Sequence, residues 1–173
     1  MIMNTKSILS ILKNKIFLFV VYAFVGIVIA FLYREICPMT KYKVCGYSMY
    51  PTYADGDIVN VFPYKKEEIE RYQIVVASNI YPYGKIVKRV VGLPNEKIEI
   101  KEDGAVFVNG KELTDLYDYT NGHLKSNEVY STSVVLADDE FFLLGDNTLF
   151  SEDSRSFGSI KKAQISAVAM SSS

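Results

Sequence analysis

Eighteen consecutive uncharged residues, IFLFVVYAFVGIVIAFLY at positions 16–33, constrain this chain more than any other feature. Folded as a helix at about 1.5 Å per residue, the run spans about 27 Å, close to the hydrocarbon thickness of a bilayer. It predicts a transmembrane helix, with residues 1–15 as a tail on one side, 34–42 as a short tether and 43–173 as a domain on the other. A cleaved secretory leader is the rival reading. Lys6, Lys13 and Lys15 would make its basic n-region, and Val28-Ile29-Ala30 passes as a small-residue cleavage site. The run is long for that purpose and continues through Phe31-Leu32-Tyr33 past the cut. Because Arg34, Lys41 and Lys43 follow the span as closely as three lysines precede it, the positive-inside count does not decide orientation. The lack of any acid before the span tips its amino-terminal side toward the cytoplasm. A long carboxy-terminal domain crosses largely regardless of charge.

A chain of 173 residues has room for about one domain beyond the span, and a net charge of -1 with 49% apolar residues argues against a nucleic-acid partner. Two cysteines, Cys37 and Cys45, are too few for a disulfide framework or a four-ligand zinc site. No metal or cofactor is called for. After residue 40 the pattern turns to short apolar runs separated by turn residues, which is the pattern of strands. Residues 57–62, 73–77, 85–91, 97–101, 105–108, 133–136, 140–144 and 165–170 are expected strands. Asp103-Gly104 and Asn109-Gly110 mark hairpin turns, 65–71 is expected to form a helical turn, and 114–131 a long polar loop. The expectation is a mainly β domain behind one helix.

Three polar clusters interrupt this pattern. In Gly46-Tyr47-Ser48-Met49-Tyr50-Pro51-Thr52, glycine permits the positive φ of a tight turn and Pro51 restricts Tyr50, so Ser48 is expected in extended backbone at a turn's edge. In Gly84-Lys85-Ile86-Val87-Lys88-Arg89-Val90-Val91-Gly92, the period of two puts Lys88 on the face of Ile86 and Val90. A lysine truly buried there has its charged form disfavoured and can take a proton from a serine, whereas a lysine that snorkels to water cannot. The only histidine, His123, sits in the polar loop, so a serine hydrolase built from this chain needs another base, and Ser-Lys is the known variant. The third cluster, Gly145-Asp146-Asn147-Thr148-Leu149-Phe150-Ser151-Glu152-Asp153-Ser154-Arg155, follows an apolar strand as a turn, and Asp153 and Arg155 are spaced to pair locally.

Together, Ser48-Met49 with Pro51-Thr52, then Lys88-Arg89-Val90-Val91-Gly92-Leu93-Pro94, then Gly145-Asp146-Asn147 with Ser151 and Asp153-Ser154-Arg155 resemble the type I signal peptidases. These are membrane-bound Ser-Lys proteases that remove signal peptides from exported proteins. The motifs stand in that family's order over nearly the whole chain, in the compact form common in Gram-positive bacteria. The resemblance implies a β-sheet catalytic domain with a core like that of LexA. It makes Ser48 the nucleophile and Lys88, not Lys85, the general base. Ser151 would orient the lysine amine, Asp153 and Arg155 would brace the loop, and Asp146 and Asn147 would be structural. Substrates would be secretory preproteins with small residues at -3 and -1, cut at the bilayer by an extracytoplasmic domain.

Two departures stand out. Gly46 replaces a serine that helps hold the oxyanion in some longer members, which leaves backbone N–H groups, Ser48's first, to do more. Asn95-Glu96 replaces a Gly-Asp pair, a turn that asparagine can keep because it tolerates positive φ. The alternatives are a LexA-like self-cleaving protease, which would need a DNA-binding domain in place of the span, and an inactive membrane-anchored β module that binds export components.

Overall fold

The computed structural model describes residues 5–36, 39–64, 68–115 and 132–170, and the side chains of most of these. His123 and Cys37, and the stretch 116–131 of the expected polar loop, lie outside the described residues. The chain divides into two compact units, Met1–Pro38 and Met39–Ser173.

The first unit is one helix, α1 (Thr5–Ile36). Its stretch Asn14–Leu32 has a mean hydropathy of 2.6 and none of its residues is buried. Long and apolar, it has the length and composition to cross a bilayer.

Among the described residues, the second unit is built from eleven strands in two sheets. A seven-stranded sheet runs in the order β1-β2-β11-β3-β4-β9-β10 and a four-stranded sheet in the order β7-β6-β5-β8. The strands are β1 (Thr40–Lys43), β2 (Ile58–Pro63), β3 (Ile74–Ile80), β4 (Gly84–Gly92), β5 (Lys97–Ile100), β6 (Val106–Val108), β7 (Lys111–Glu112), β8 (Thr132–Val135), β9 (Glu140–Leu144), β10 (Ile160–Lys161) and β11 (Ile165–Ala169). All described pairings are antiparallel. The expected strands all form, with ends shifted by a few residues.

Strands β4 and β9 position the site because both of their faces are covered. Phe142, Leu144 and Val91 enter one apolar cluster with Ile98, Val106 and Leu136, while Phe141, Leu143 and Val90 enter a second with Val75, Ile160 and Ile165. That is why residues 141–144 read as an unbroken apolar run rather than an alternating one. A third cluster, Val44, Val59, Val61, Val76 and Ala167, lies under the start of the domain.

The expected turns form as their residues dictate. Asn109 and Gly110 both take positive φ, 52° and 79°, as a two-residue hairpin of the I′ type needs. Asn95 takes φ 66°, so the turn after Leu93-Pro94 is kept. Glu96 fastens it, accepting from the Leu93 N–H at 2.7 Å and pairing with Arg71 at 2.5 Å.

One expectation needs correction: residues 40–42, placed in the tether, belong to β1, which pairs with β2 from Thr40 opposite Val61 to Lys43 opposite Ile58. Of the helical turn expected over 65–71, residues 65–67 lie outside the described residues, and 68–72 are irregular and end in a turn. Ser48 begins the turn 48–52, with the Tyr50 N–H donating to the Tyr47 carbonyl at 3.1 Å.

Candidate active site

The fold brings the first two polar clusters together. Lys88 Nζ donates to Ser48 Oγ at 2.7 Å across 40 residues of sequence. Lys88 is 4% exposed on β4, while Ser48 is half-buried at the start of its turn. Met49, fully buried, anchors that turn, and Gly46 enters it at φ 90° with its N–H donating to Asp55 Oδ1 at 2.7 Å. Among the described residues, no backbone acceptor takes the Ser48 N–H.

Burial lowers the Lys88 pKa to about 8, against the opposing attraction of the Asp153 and Asp146 carboxylates. Desolvation wins because it disfavours the ammonium itself, whereas both carboxylates are already committed elsewhere. At pH 7 about one lysine in ten is then neutral, against about one in three thousand for an exposed lysine.

The third cluster supplies the wall behind the pair. Asp153 is fully buried and binds Arg155 in a fork, Oδ1 to Nε and Oδ2 to Nη2, both at 2.8 Å. It also accepts from the Gly145 N–H at 3.0 Å and caps the short helix α2 (Ser154–Phe157) through the Arg155 N–H. Arg155 reaches on to the carbonyls of Thr148 and Ser151, at 3.0 and 3.3 Å. The loop is thereby held at both ends, as the spacing of Asp153 and Arg155 leads one to expect. It touches the Ser48 turn directly, because the Asn147 N–H donates to the Ser48 carbonyl at 3.0 Å. Gly145 is needed at this crossing, where a methyl group would stand 2.5 Å from the Ser48 carbonyl oxygen and collide with the Ser151 hydroxyl.

Ser151 Oγ is buried and has no hydrogen-bond partner among the described residues, so the expected bond to the lysine amine is not made here. Lys85, by contrast, stays exposed. Its Nζ lies 3.4 Å from the Tyr42 hydroxyl and 5.3 Å from that ring's centre.

Sequence reasoning passed over one part of the site. Arg89, next to Lys88, is 5% exposed and binds Asp146 with Nε to Oδ1 at 2.8 Å and Nη2 to Oδ2 at 2.6 Å. The Thr52 hydroxyl donates to Asp146 Oδ2 at 2.5 Å. Arg89, Asp146 and Thr52 come from the three separate clusters, so this buried network fixes the Ser48 turn and the Lys88 strand to the same carboxylate. The available signal was two consecutive charges inside a strand of valines. With period two, one of them must face the opposite core and needs a buried carboxylate.

Ser48 and Lys88 open onto a groove of about 460 Å³ lined on one side by Tyr42 and Lys43 of β1 and on the other by Lys85–Lys88 of β4. Both walls carry unpaired strand edge. Among the described residues, β1 ends its sheet, and residues 84–88 of β4 have β3 on one side but no strand on the other, since pairing with β9 begins at Arg89.

The chain is similar to several known proteins. Residues 15–172 match the family model described as signal peptidase, peptidase S26. Signal peptidase I V of Bacillus subtilis is 36% identical over 140 residues, covering 73% of this chain and 81% of that protein. Signal peptidase IB of Staphylococcus aureus is 33% identical over 171 residues, covering 89% and 87%. A solved signal peptidase I from Enterococcus faecalis is 27% identical with a TM-score of 0.47, covering 59% of this chain and 97% of that one. With the family model spanning almost the whole chain and the motifs in place around a buried Ser-Lys pair, the chain belongs to the peptidase S26 family of signal peptidases.

Proposed function

We propose that the chain is a membrane-anchored serine endopeptidase that cuts signal peptides from secretory preproteins after small residues at -3 and -1, with Ser48 as nucleophile and Lys88 as general base. The observation that carries this is the 2.7 Å approach of Lys88 Nζ to Ser48 Oγ in a setting that lowers the lysine's pKa to about 8. The neutral amine takes the hydroxyl proton as Oγ attacks the scissile carbonyl, and the resulting ammonium gives it to the departing amine as the C–N bond breaks. A water then loses a proton to Lys88 and adds to the acyl-serine, which releases the new carboxylate and restores the pair. The Ser48 N–H serves the oxyanion, a role for which Gly46, without a side chain and with its own N–H held by Asp55, offers no donor.

The groove's two unpaired strand edges suit an extended segment, which would bind by main-chain hydrogen bonds with alternate side chains entering the walls. Residues 16–33 serve as the span, with 1–15 on the cytoplasmic side and the domain from 43 onward outside. The LexA-like and inactive-module alternatives have nothing comparable in their favour. The test is incubation of the detergent-solubilised full chain with a model preprotein carrying alanine at -3 and -1. Wild type is expected to release the mature form, while Ser48→Ala and Lys88→Ala do not. Cleavage that survives Ser48→Ala would refute the assignment.

A further inference from the structure

The groove carries a charge that the chemistry of Ser48 and Lys88 does not use. Lys43 and Lys85 line it from its two walls, and among the described residues neither forms an ion pair with a carboxylate. The carboxylates near Lys43 in sequence are committed to main chain, Asp55 to the Gly46 N–H and Asp57 to the Ala54 N–H. One acid, Glu152, also lines the groove, close enough to Tyr83 to help raise that phenol's pKa behind the larger effect of desolvation. Lys85, though exposed, has its Nζ over the Tyr42 ring of the facing wall, 5.3 Å from the ring centre.

We infer that Lys85 is a specificity-determining residue, favouring substrates with a carboxylate about three residues from the scissile bond and disfavouring a lysine or arginine there. The inference rests on reading the groove as the substrate site. A peptide added to the unpaired edge of residues 84–88 lies beside Lys88 at its reacting bond and beside Lys85 three residues farther on, about 10 Å away at strand spacing. Side chains directly opposite on neighbouring strands are close enough for unlike charges to attract and like charges to repel. Lys43, on the facing wall, adds to the same field. The groove thus reads charge at one position in addition to size at others.

The experiment measures kcat/KM of the full chain in detergent on neutral peptides with alanine at -3 and -1. Aspartate or lysine is placed in turn at the other positions within about five residues of the cleavage site. At one position about three residues away, the aspartate peptide is expected to be cut about five to ten times faster than the lysine peptide. Lys85→Gln should bring that ratio toward one and Lys85→Glu should invert it. Each ratio is taken within one variant, so a general loss of rate cancels. Should both variants fail to fold, the wild-type ratio is measured against salt, where collapse at high ionic strength supports the inference and indifference overturns it. A ratio that Lys85→Glu leaves unchanged at every position overturns the charge reading while the peptidase reading stands. Failure of wild type to cut even the neutral peptide removes both.

Discussion

Replacing Lys88 by methionine is expected to destroy activity and yet stabilise the domain at neutral pH. The reason lies in linkage. Lys88 has a folded pKa of about 8 against an ordinary value near 10.5, so the unfolded chain holds this proton more tightly than the folded one. The sign follows: the burden on folding is full below about pH 8, shrinks as pH rises from 8 toward 10.5, and is absent above that. At 1.36 kcal/mol per pKa unit its full size is about 3 kcal/mol, of which about 2 kcal/mol should be relieved between pH 7 and 9.5. Methionine fills much of the same volume and carries no such term. Its other consequences, a lost contact with Ser48 and altered packing, do not vary with pH in this way. The assay is urea unfolding of the full chain in detergent, followed by near-ultraviolet dichroism of the tyrosines at several pH values up to 9.5. Lys88→Met should exceed wild type most at pH 7, and the gap should narrow by about 2 kcal/mol by pH 9.5. A gap that is constant with pH, or that widens, would mean Lys88 titrates as an exposed lysine and would refute the burial argument.

Three further outcomes follow from the packing. Gly145→Ala pushes a methyl group toward the Ser48 carbonyl and the Ser151 hydroxyl; relieving that overlap should cost about 1–3 kcal/mol by urea unfolding and lower kcat at least tenfold on a model peptide. Asp146→Asn leaves Arg89 buried without its carboxylate and should cost about 3–5 kcal/mol in the same unfolding assay. Ser151→Ala removes a buried hydroxyl that has no partner, so the unfolding midpoint should hold or rise. If Ser151 orients the lysine amine only once substrate is bound, kcat should fall in that variant without any loss of stability.

Much of this architecture can be read from residues alone, for identifiable reasons. The helix is legible because eighteen uncharged residues leave few alternatives, and the main strands because their apolar residues must be buried. Asn95 and Asn109-Gly110 are legible because so few residue types tolerate positive φ. Strand β1, with the sequence Thr-Lys-Tyr-Lys, is not legible, since it is held at an edge by main-chain pairing with β2 and only Tyr42 is partly covered. β7 and β10, two residues each, are too short to carry a period. In the site, the pair Asp153 and Arg155 is local and so is readable at a spacing of two. The approach of Ser48 to Lys88 spans 40 residues, and that of Arg89 to Asp146 spans 57. Neither has a local signature. Family resemblance supplied the first, and only the fold discloses the second. Ser151 shows the limit of the resemblance: its expected bond to the lysine amine is not formed, though its hydroxyl is buried against Gly145.

The central claim, that a neutral buried lysine activates Ser48, is tested most directly by the pH dependence of kcat/KM for the full-length protein on a soluble peptide without titratable groups. Subtracting a Ser48→Ala blank at each pH removes any contaminating activity. The rate constant should rise tenfold per pH unit on the acid side and level off at a pKa near 8, since kcat/KM reports the free protein's base. A profile already flat between pH 5 and 7, or one still climbing past pH 10, would contradict the account.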